Sequence, residues 1–326
     1  MPLRASVIIC THNGSASARR AAASALRCEV KEDAYEVIVV DNASTDGTPD
    51  AIRELAEEEP TRPLRYLREE RLGNHYARHL GARAARAPLL IYTDDDVEVE
   101  PQWVQAYVDA FEAHPEMGAA GGPAKPRWEV DPPQWLLNRL AGTECYGPLA
   151  LMDRGEAFLL GTDGYFFGLN MAIRFDVLSR LGGFRPELFG RLTLGPGEWA
   201  LVLAMQAAGE PIGYVPNAVL WHHVPAHRMT PEYSEKWVWH GVPGDMFERW
   251  HLKPRTPSAV AHEVWRILRT YWRPWLRAPT MRAGDDLDAI RIRTLANSGW
   301  CELAYVWRMI TRRDVRAYLD TERFGP

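Results

Sequence analysis

Leu89-Leu90-Ile91-Tyr92-Thr93-Asp94-Asp95-Asp96 is the stretch on which the reading of this chain turns. An apolar run with no polar alternation enters three consecutive carboxylates. Such a run reads as a strand covered on both faces. The carboxylates repel one another and lose hydration at the strand end, so something must compensate. A hard divalent cation, Mg2+ or Mn2+, does so, held by one or two carboxylates and by substrate phosphates. The plain alternative is a solvated turn capping a helix that begins near Pro101. On the triplet alone the two readings are evenly balanced.

Working outward, the upstream chain repeats the same pattern. Ala5–Cys10 (ASVIIC) is a first strand, followed by the polar stretch Thr11-His12-Asn13-Gly14-Ser15. Residues 16–27 are rich in Ala and Arg and favour helix. Tyr35–Val40 (YEVIVV) is a second strand that stops at Asp41-Asn42-Ala43-Ser44-Thr45-Asp46-Gly47-Thr48. Pro49 suits the first turn of a helix through about Glu58. Leu64–Leu67 reads as a third strand and residues 74–87 as a helix. The expected fold is therefore α/β: a mostly parallel central sheet with helices on both faces. Ligands of such sheets bind beyond the carboxyl ends of the strands. Three strand ends carry polar segments here and should converge on one crevice.

Downstream, residues 118–195 are rich in Gly, Pro and scattered aromatics and read as functional loops. Residues 198–209 read as a helix, and Ile212–Trp221 as a strand broken at Pro216-Asn217. Val260–Tyr271 has helical periodicity, which Pro274 is expected to end or kink. Residues 287–320 supply one or two further helices.

The 326 residues are 46% apolar and 25% charged, which excludes a disordered or collagen-like chain. The net charge of −5 argues against a general nucleic-acid binder. The charge is uneven: residues 249–326 carry +7 and residues 1–248 carry −12. Four scattered cysteines form no CxxC pair, so no zinc or redox motif is visible. The start of the chain is too quickly interrupted for a signal peptide, and no stretch reaches a membrane span. A cytoplasmic protein is the expectation.

Several residues could carry chemistry. Thr11 and Asp41 end two strands and could meet a nucleotide, although an Asx-turn explains Asp41–Thr48 as well. Arg71, Asn74 and Arg78 lie on a loop and the next helix, and Arg is the preferred bidentate partner of phosphate. His222 and His223 end a strand; adjacent strand residues point to opposite faces, so at most one faces a cation. Glu198, in Gly195-Pro196-Gly197-Glu198, stands at a helix start. It could compensate the helix dipole or act as a general base.

Taken together, SVIICTHNG (6–14), EVIVVDNASTDGT (36–48), GNHYARHLGARAA (73–85), LLIYTDDDVEVEPQWV (89–104), GLNMAIRFDVLSRLGGFRPELFG (168–190) and GPGEWALVLAMQAAGEPIGYVPNAVLWHH (195–223) are similar to the motifs of the family 2 glycosyltransferases. The resemblance implies a GT-A fold and inverting sugar transfer from a nucleotide diphosphate sugar, UDP favoured, with Mn2+ or Mg2+. By position, Thr11, Asn13 and Asp41 would contact the nucleotide, Arg71, Asn74 and Arg78 would line its pocket, and Asp94 and Asp95 would help hold it. Asp94 and Asp96 take the acidic places of the DxD motif, Asp96 being the leading metal ligand with His222 beside it. Glu198 falls where the catalytic acid lies, although Gly197-Glu198-Trp199 replaces the usual Gly-Glu-Asp. Asp41-Asn42 likewise departs from the two acids that many relatives have.

The resemblance covers residues 5–223, so the expected division is a catalytic domain over 1–228, with its nucleotide-sugar half to about 100, and a helical Trp- and Arg-rich extension over 229–326. A glycan, lipid-linked saccharide or glycosylated small molecule is the implied acceptor. The alternatives are a nucleotidyltransferase, or a non-catalytic relative that binds nucleotide sugars. The first normally has a Gly-rich basic loop after its first strand, which Thr11-His12-Asn13-Gly14 is not. Nine of the thirteen Trp residues lie at or after Trp221. With the basic tail they suit an anionic membrane surface through 255–326. They equally suit packing of a helical subdomain or a homodimer interface, the slightly favoured reading.

Overall fold

The computed structural model describes residues 2–321 apart from 32–33, 61–62, 187, 190–191, 194–196, 252–255 and 282–285. The first half alternates strand and helix as the sequence predicts: β1 (Ala5–Thr11), α1 (Ser15–Leu26), β2 (Tyr35–Asn42), α2 (Thr48–Glu58), β3 (Leu64–Glu69), α3 (Asn74–Ala84) and β4 (Leu89–Asp94). There follow β5 (Val97–Val99), α4 (Trp103–Ala113), β6 (Ala119–Gly121), β7 (Ala124–Trp128), α5 (Gln134–Leu140), β8 (Cys145–Tyr146), β9 (Leu151–Met152), β10 (Leu159–Gly161), β11 (Met171–Arg174) and α6 (Phe175–Arg180). The remainder is β12 (Leu188–Phe189), β13 (Leu192–Thr193), α7 (Gly197–Ala208), β14 (Ile212–Tyr214), β15 (Leu220–Val224), α8 (Pro231–His251), α9 (Pro257–Arg277), α10 (Leu287–Thr311) and α11 (Arg313–Thr321).

The main sheet has the order β10-β14-β6-β11-β4-β1-β2-β3. β4, β1, β2 and β3 are mutually parallel, with Cys10 opposite Asp94 and Thr11 opposite Asp41. β11 runs antiparallel to both β4 and β6, and β10 antiparallel to β14, so the sheet is mixed rather than simply parallel. Strand order reverses between β1 and β4, where an open sheet leaves its crevice. Alternation along β1 sorts the two cores: Val7 and Ile9 pack with α1, α2 and α4, while Ile8 and Cys10 pack with α3, α6 and α7.

Asn170 knits the far side of this sheet. It is fully buried; its Oδ1 accepts from Trp103 Nε1 and Tyr107 Oη at 2.8 Å, and its Nδ2 donates to the carbonyls of Pro123 and Ala218 at 2.9 Å. Asn170→Ala strands two donors and two carbonyls in the core, each worth about 1–3 kcal/mol. The expected loss is at least about 3 kcal/mol in urea unfolding; a loss below about 1 kcal/mol would refute this role.

Two expectations are corrected. The segment Ile212–Trp221 forms two strands in two sheets: β14 pairs with β6, and β15 lies between β5 and β7 in a small second sheet. Pro216-Asn217 thus marks a change of sheet. Pro274 does not end its helix, because α9 continues to Arg277. Packing on either side of Pro274 outweighs the lost hydrogen bond: Trp275 donates to the Ala296 carbonyl at 2.9 Å and stacks on Trp300, and the Tyr271 ring lies over Gly299. α8 falls within the extension expected to be helical and runs through Gly241, Pro243 and Gly244 without ending. Those glycines are contact points: a Cβ on Gly241 would stand 2.5 Å from the Trp237 ring, and one on Gly244 3.1 Å from Trp199.

α8–α11 share a core of Met246, Ile267, Tyr271, Tyr305, Val306, Met309 and Val315. Ile290 of α10 also joins Trp135, Leu136, Tyr146 and Val224 beneath the small sheet. Tyr318 of α11 reaches Tyr76 of α3, hydroxyl to hydroxyl at 3.1 Å.

Candidate active site

The ends of β1 and β4 place Thr11 beside the carboxylate triplet, and Thr11 Oγ1 donates to Asp95 Oδ2 at 2.5 Å. Two open lobes of about 400 and 470 Å3 flank the triplet and share His12, Asp95 and Asp96. One is lined by Thr11, Asn42, Gly73, Asn74 and Asp94, the other by Asn13, Arg127, His223 and Arg228. Asn13 also bridges to the loop after β2: its N–H donates to Ser44 Oγ and its Oδ1 accepts from Thr45 N–H, both at 2.8 Å.

The three carboxylates differ. Burial raises the pKa of Asp94, and Arg78 only partly offsets this. Burial pushes Asp95 up to about 6 despite the Thr11 hydrogen bond. Burial also opposes ionisation of Asp96, but the His222 hydrogen bond and charge, with that of Arg228, outweigh it and hold Asp96 below the usual carboxylate range.

His222 is buried, and its Nδ1 lies 2.8 Å from the Leu149 carbonyl. A carbonyl only accepts, so Nδ1 carries a proton. Nε2, 3.2 Å from Asp96 Oδ2, donates to that carboxylate while it is protonated, and would offer a lone pair once a bound cation took the proton's place. With that proton displaced, the two groups would be spaced as neighbouring ligands of one small cation, and the Leu149 carbonyl is the supporting contact a metal-ligating His needs. Among the described residues no group of three or more His, Cys, Asp and Glu could enclose a metal. A cation here would take much of its coordination from substrate. Arg228 Nη1 stands 3.2 Å from the same Asp96 oxygen and 3.4 Å from Nε2, a partner the sequence reading missed. Nothing in its six-residue separation from His222 signals it. His223 turns the other way and meets Glu98 at 2.6 Å, as strand alternation requires.

Glu198 begins α7, while the preceding Gly195 and Pro196 lie outside the described residues. Its Oε2 accepts from Arg78 Nη1 at 3.2 Å and its Oε1 from the Gly168 N–H at 3.2 Å. Arg78 Nη2 lies 3.4 Å from Asp94 Oδ1, so one buried guanidinium ties Glu198 to the triplet.

Two predicted nucleotide contacts are engaged within the protein. Asp41 is fully buried; its oxygens accept from Ser44 N–H at 2.8 Å, Tyr66 Oη at 2.7 Å and Arg68 Nη1 at 2.9 Å. Burial alone would raise its pKa, but these bonds and the Arg68 charge hold it below the ordinary value. Arg71 forks onto Glu69, with both nitrogens 3.0 Å from the carboxylate oxygens, and lies over the Tyr76 ring. Asn42, noted in the sequence only as a departure, holds this loop: its Oδ1 accepts from the Gly73 N–H and its Nδ2 donates to the Arg71 carbonyl, both at 2.7 Å.

Comparison with known proteins agrees with this architecture. The family model described as Glycosyl transferase family 2 matches residues 6–182. A glucosyl-dolichyl phosphate glucuronosyltransferase of Haloferax volcanii is 27% identical over 119 residues, 36% of this chain and 36% of that one. A validoxylamine A glucosyltransferase of Streptomyces hygroscopicus subsp. limoneus is 29% identical over 204 residues, 57% of this chain and 44% of that one. The match thus spans less than half of either relative. A mannosyltransferase from Pyrobaculum calidifontis, solved with GDP-Man and Mn2+, superposes with TM-score 0.60 at 21% identity, covering 95% of this chain and 88% of that one. That likeness is of fold, and the fold is GT-A. With the family model spanning more than half of its residues, the chain belongs to glycosyl transferase family 2.

Proposed function

We propose that the protein moves a sugar from a nucleotide diphosphate sugar, UDP favoured, to a hydroxyl of a saccharide-type acceptor, with inversion and with Glu198 as general base. The observation that carries this reading is the single guanidinium joining Glu198 to Asp94. A proton acceptor and a cation-binding edge then serve one crevice. Relatives named for dolichyl-phosphate and validoxylamine substrates support a lipid-linked or small glycosylated acceptor.

Asp96 and His222, with Asp94 nearby, would hold Mn2+ or Mg2+, which when bound offsets the charge growing on the leaving diphosphate. Arg228 sits against the same carboxylate and adds a fixed positive charge there. Thr11 and Asn74 line the lobe proposed for the nucleoside, and Asn13 lines the adjoining one. Asp41 and Arg71 would act by fixing that lobe's walls. Glu198 takes the acceptor's proton as the hydroxyl attacks the sugar face opposite the diphosphate, so a single displacement inverts the anomeric centre. Incubation with a panel of nucleotide sugars and Mn2+, with and without candidate acceptors, should release nucleotide diphosphate from one donor. Release of a sugar 1-phosphate, or no turnover of any donor, would favour the nucleotidyltransferase or the non-catalytic reading.

We further propose that the helical extension over 229–326 touches an anionic membrane surface through residues 255–326. No helix among the described residues is long and apolar enough to cross a membrane. Trp265, Leu268, Trp272 and Leu276 are exposed on α9, interspersed with Arg269 and Arg273, and Trp307 is exposed on α10. Exposed indoles among arginines suit a lipid interface. In vesicle flotation the protein should rise with anionic but not neutral vesicles, and Trp265→Ala/Trp272→Ala should reduce this severalfold. Equal flotation of both proteins, or none, would defeat the idea.

A further inference from the structure

We infer that Arg78 is the positioning residue of the base: it holds the Glu198 carboxylate in line, and it is not a ligand of the donor. This rests on the reading of Glu198 as base. The Arg78 side chain is 4% exposed, at the far end of its helix-borne reach into the space between α7 and β4. Its two terminal nitrogens each hold one carboxylate, Nη1 that of Glu198 and Nη2 that of Asp94. The Phe184 ring lies 5.2 Å from the guanidinium carbon, and Tyr92 Oη donates to the Arg78 carbonyl at 3.3 Å, so the backbone and the fork are both seated.

Gly168 completes the arrangement from the opposite side. Its N–H is the second donor to Glu198, and a Cβ at that position would stand 2.3 Å from Arg78 Nη2. The absent side chain is what lets the guanidinium lie where it does. Each Glu198 oxygen therefore has one bond that fixes it and keeps a lone pair for a substrate hydroxyl. Without the cation, two carboxylates would face each other across the gap, and their repulsion would turn Glu198 away. Misplacing a reacting group by about 1 Å costs on the order of 100-fold in rate. Arg78 also makes the two ends of the site interdependent, because the fork that steadies the base is anchored on the donor-side carboxylate.

The test compares Arg78→Ala, Arg78→Lys and Gly168→Ala with wild type, using the donor found in the panel, with nucleotide binding and thermal unfolding measured on each. Arg78→Ala should lower kcat about 100-fold while donor KM stays within about threefold. Added guanidinium should restore part of the loss. Arg78→Lys should fall between, since it keeps the charge but loses the fork. Gly168→Ala should lower kcat comparably although every charge is retained. The inference is overturned if Arg78→Ala raises donor KM with kcat unchanged, which would make Arg78 a donor ligand, or if folded Gly168→Ala keeps wild-type kcat. An active Glu198→Gln enzyme would instead remove the base reading itself, so the two failures are distinct.

Discussion

Glu198→Gln is expected to reduce transfer by about 1,000-fold or more while leaving nucleotide binding nearly unchanged. The amide keeps the size of the side chain and can still accept from the Gly168 N–H at Oε1, so the start of α7 stays in place. What disappears is the ability to take a proton, together with the bond from Arg78 Nη1, which now meets the amide NH2. General-base contributions of about 100- to 10,000-fold set the scale, and an attacking alcohol, a poor nucleophile until deprotonated, belongs at the upper end. The loss should appear in kcat and in kcat/KM together, as for a group whose interaction matures only in the transition state. Steady-state transfer and calorimetric nucleotide binding on one preparation make the comparison. Turnover within tenfold of wild type would take the base role away from Glu198.

Asp96→Ala should instead weaken metal-dependent nucleotide binding. Of the three carboxylates in the triplet, Asp96 is the one its surroundings hold below the usual range, through His222 and Arg228. Removing it takes away a cation donor and leaves Arg228 and the His222 ring without their shared partner. Disturbing even the supporting residues of a bound metal costs about 10- to 100-fold in affinity, and loss of a direct ligand should cost at least that. Titrating Mn2+ against a fixed nucleotide diphosphate, with and without the substitution, reads this directly. An unchanged Mn2+ titration would leave Asp96 with no part in cation binding.

The sheet was legible where local chemistry and burial agree. β1, β2 and β4 are apolar runs that stop at turn-forming or acidic residues, and their ends mark the crevice because parallel strands deliver their carboxyl ends to one edge. The split of β14 and β15 between two sheets was not legible, because the partners that separate them, β6 and β7, lie about a hundred residues upstream. α8 was legible only as part of a helical extension; that its glycines are contact points for Trp237 and Trp199 was not, because only the fold brings those rings onto them. In the site, the triplet announced itself through charge alone. Glu198 needed the family resemblance to choose it among acids at helix starts. Arg78 was legible as a basic residue suited to phosphate, whereas its contact with Glu198 and its close approach to Gly168, ninety residues later, were not. Arg228 carried no signal, since only the fold brings it onto Asp96.

The most direct measurement is a crystal structure of the complex with the intact donor sugar, a divalent cation and the inactive Glu198→Gln protein. The amide at position 198 should stand on the sugar face opposite the diphosphate, within reach of an acceptor hydroxyl, with Asp96 and His222 on the cation. A donor whose diphosphate lies on the same side as position 198, or a cation bound without Asp96, would contradict the account.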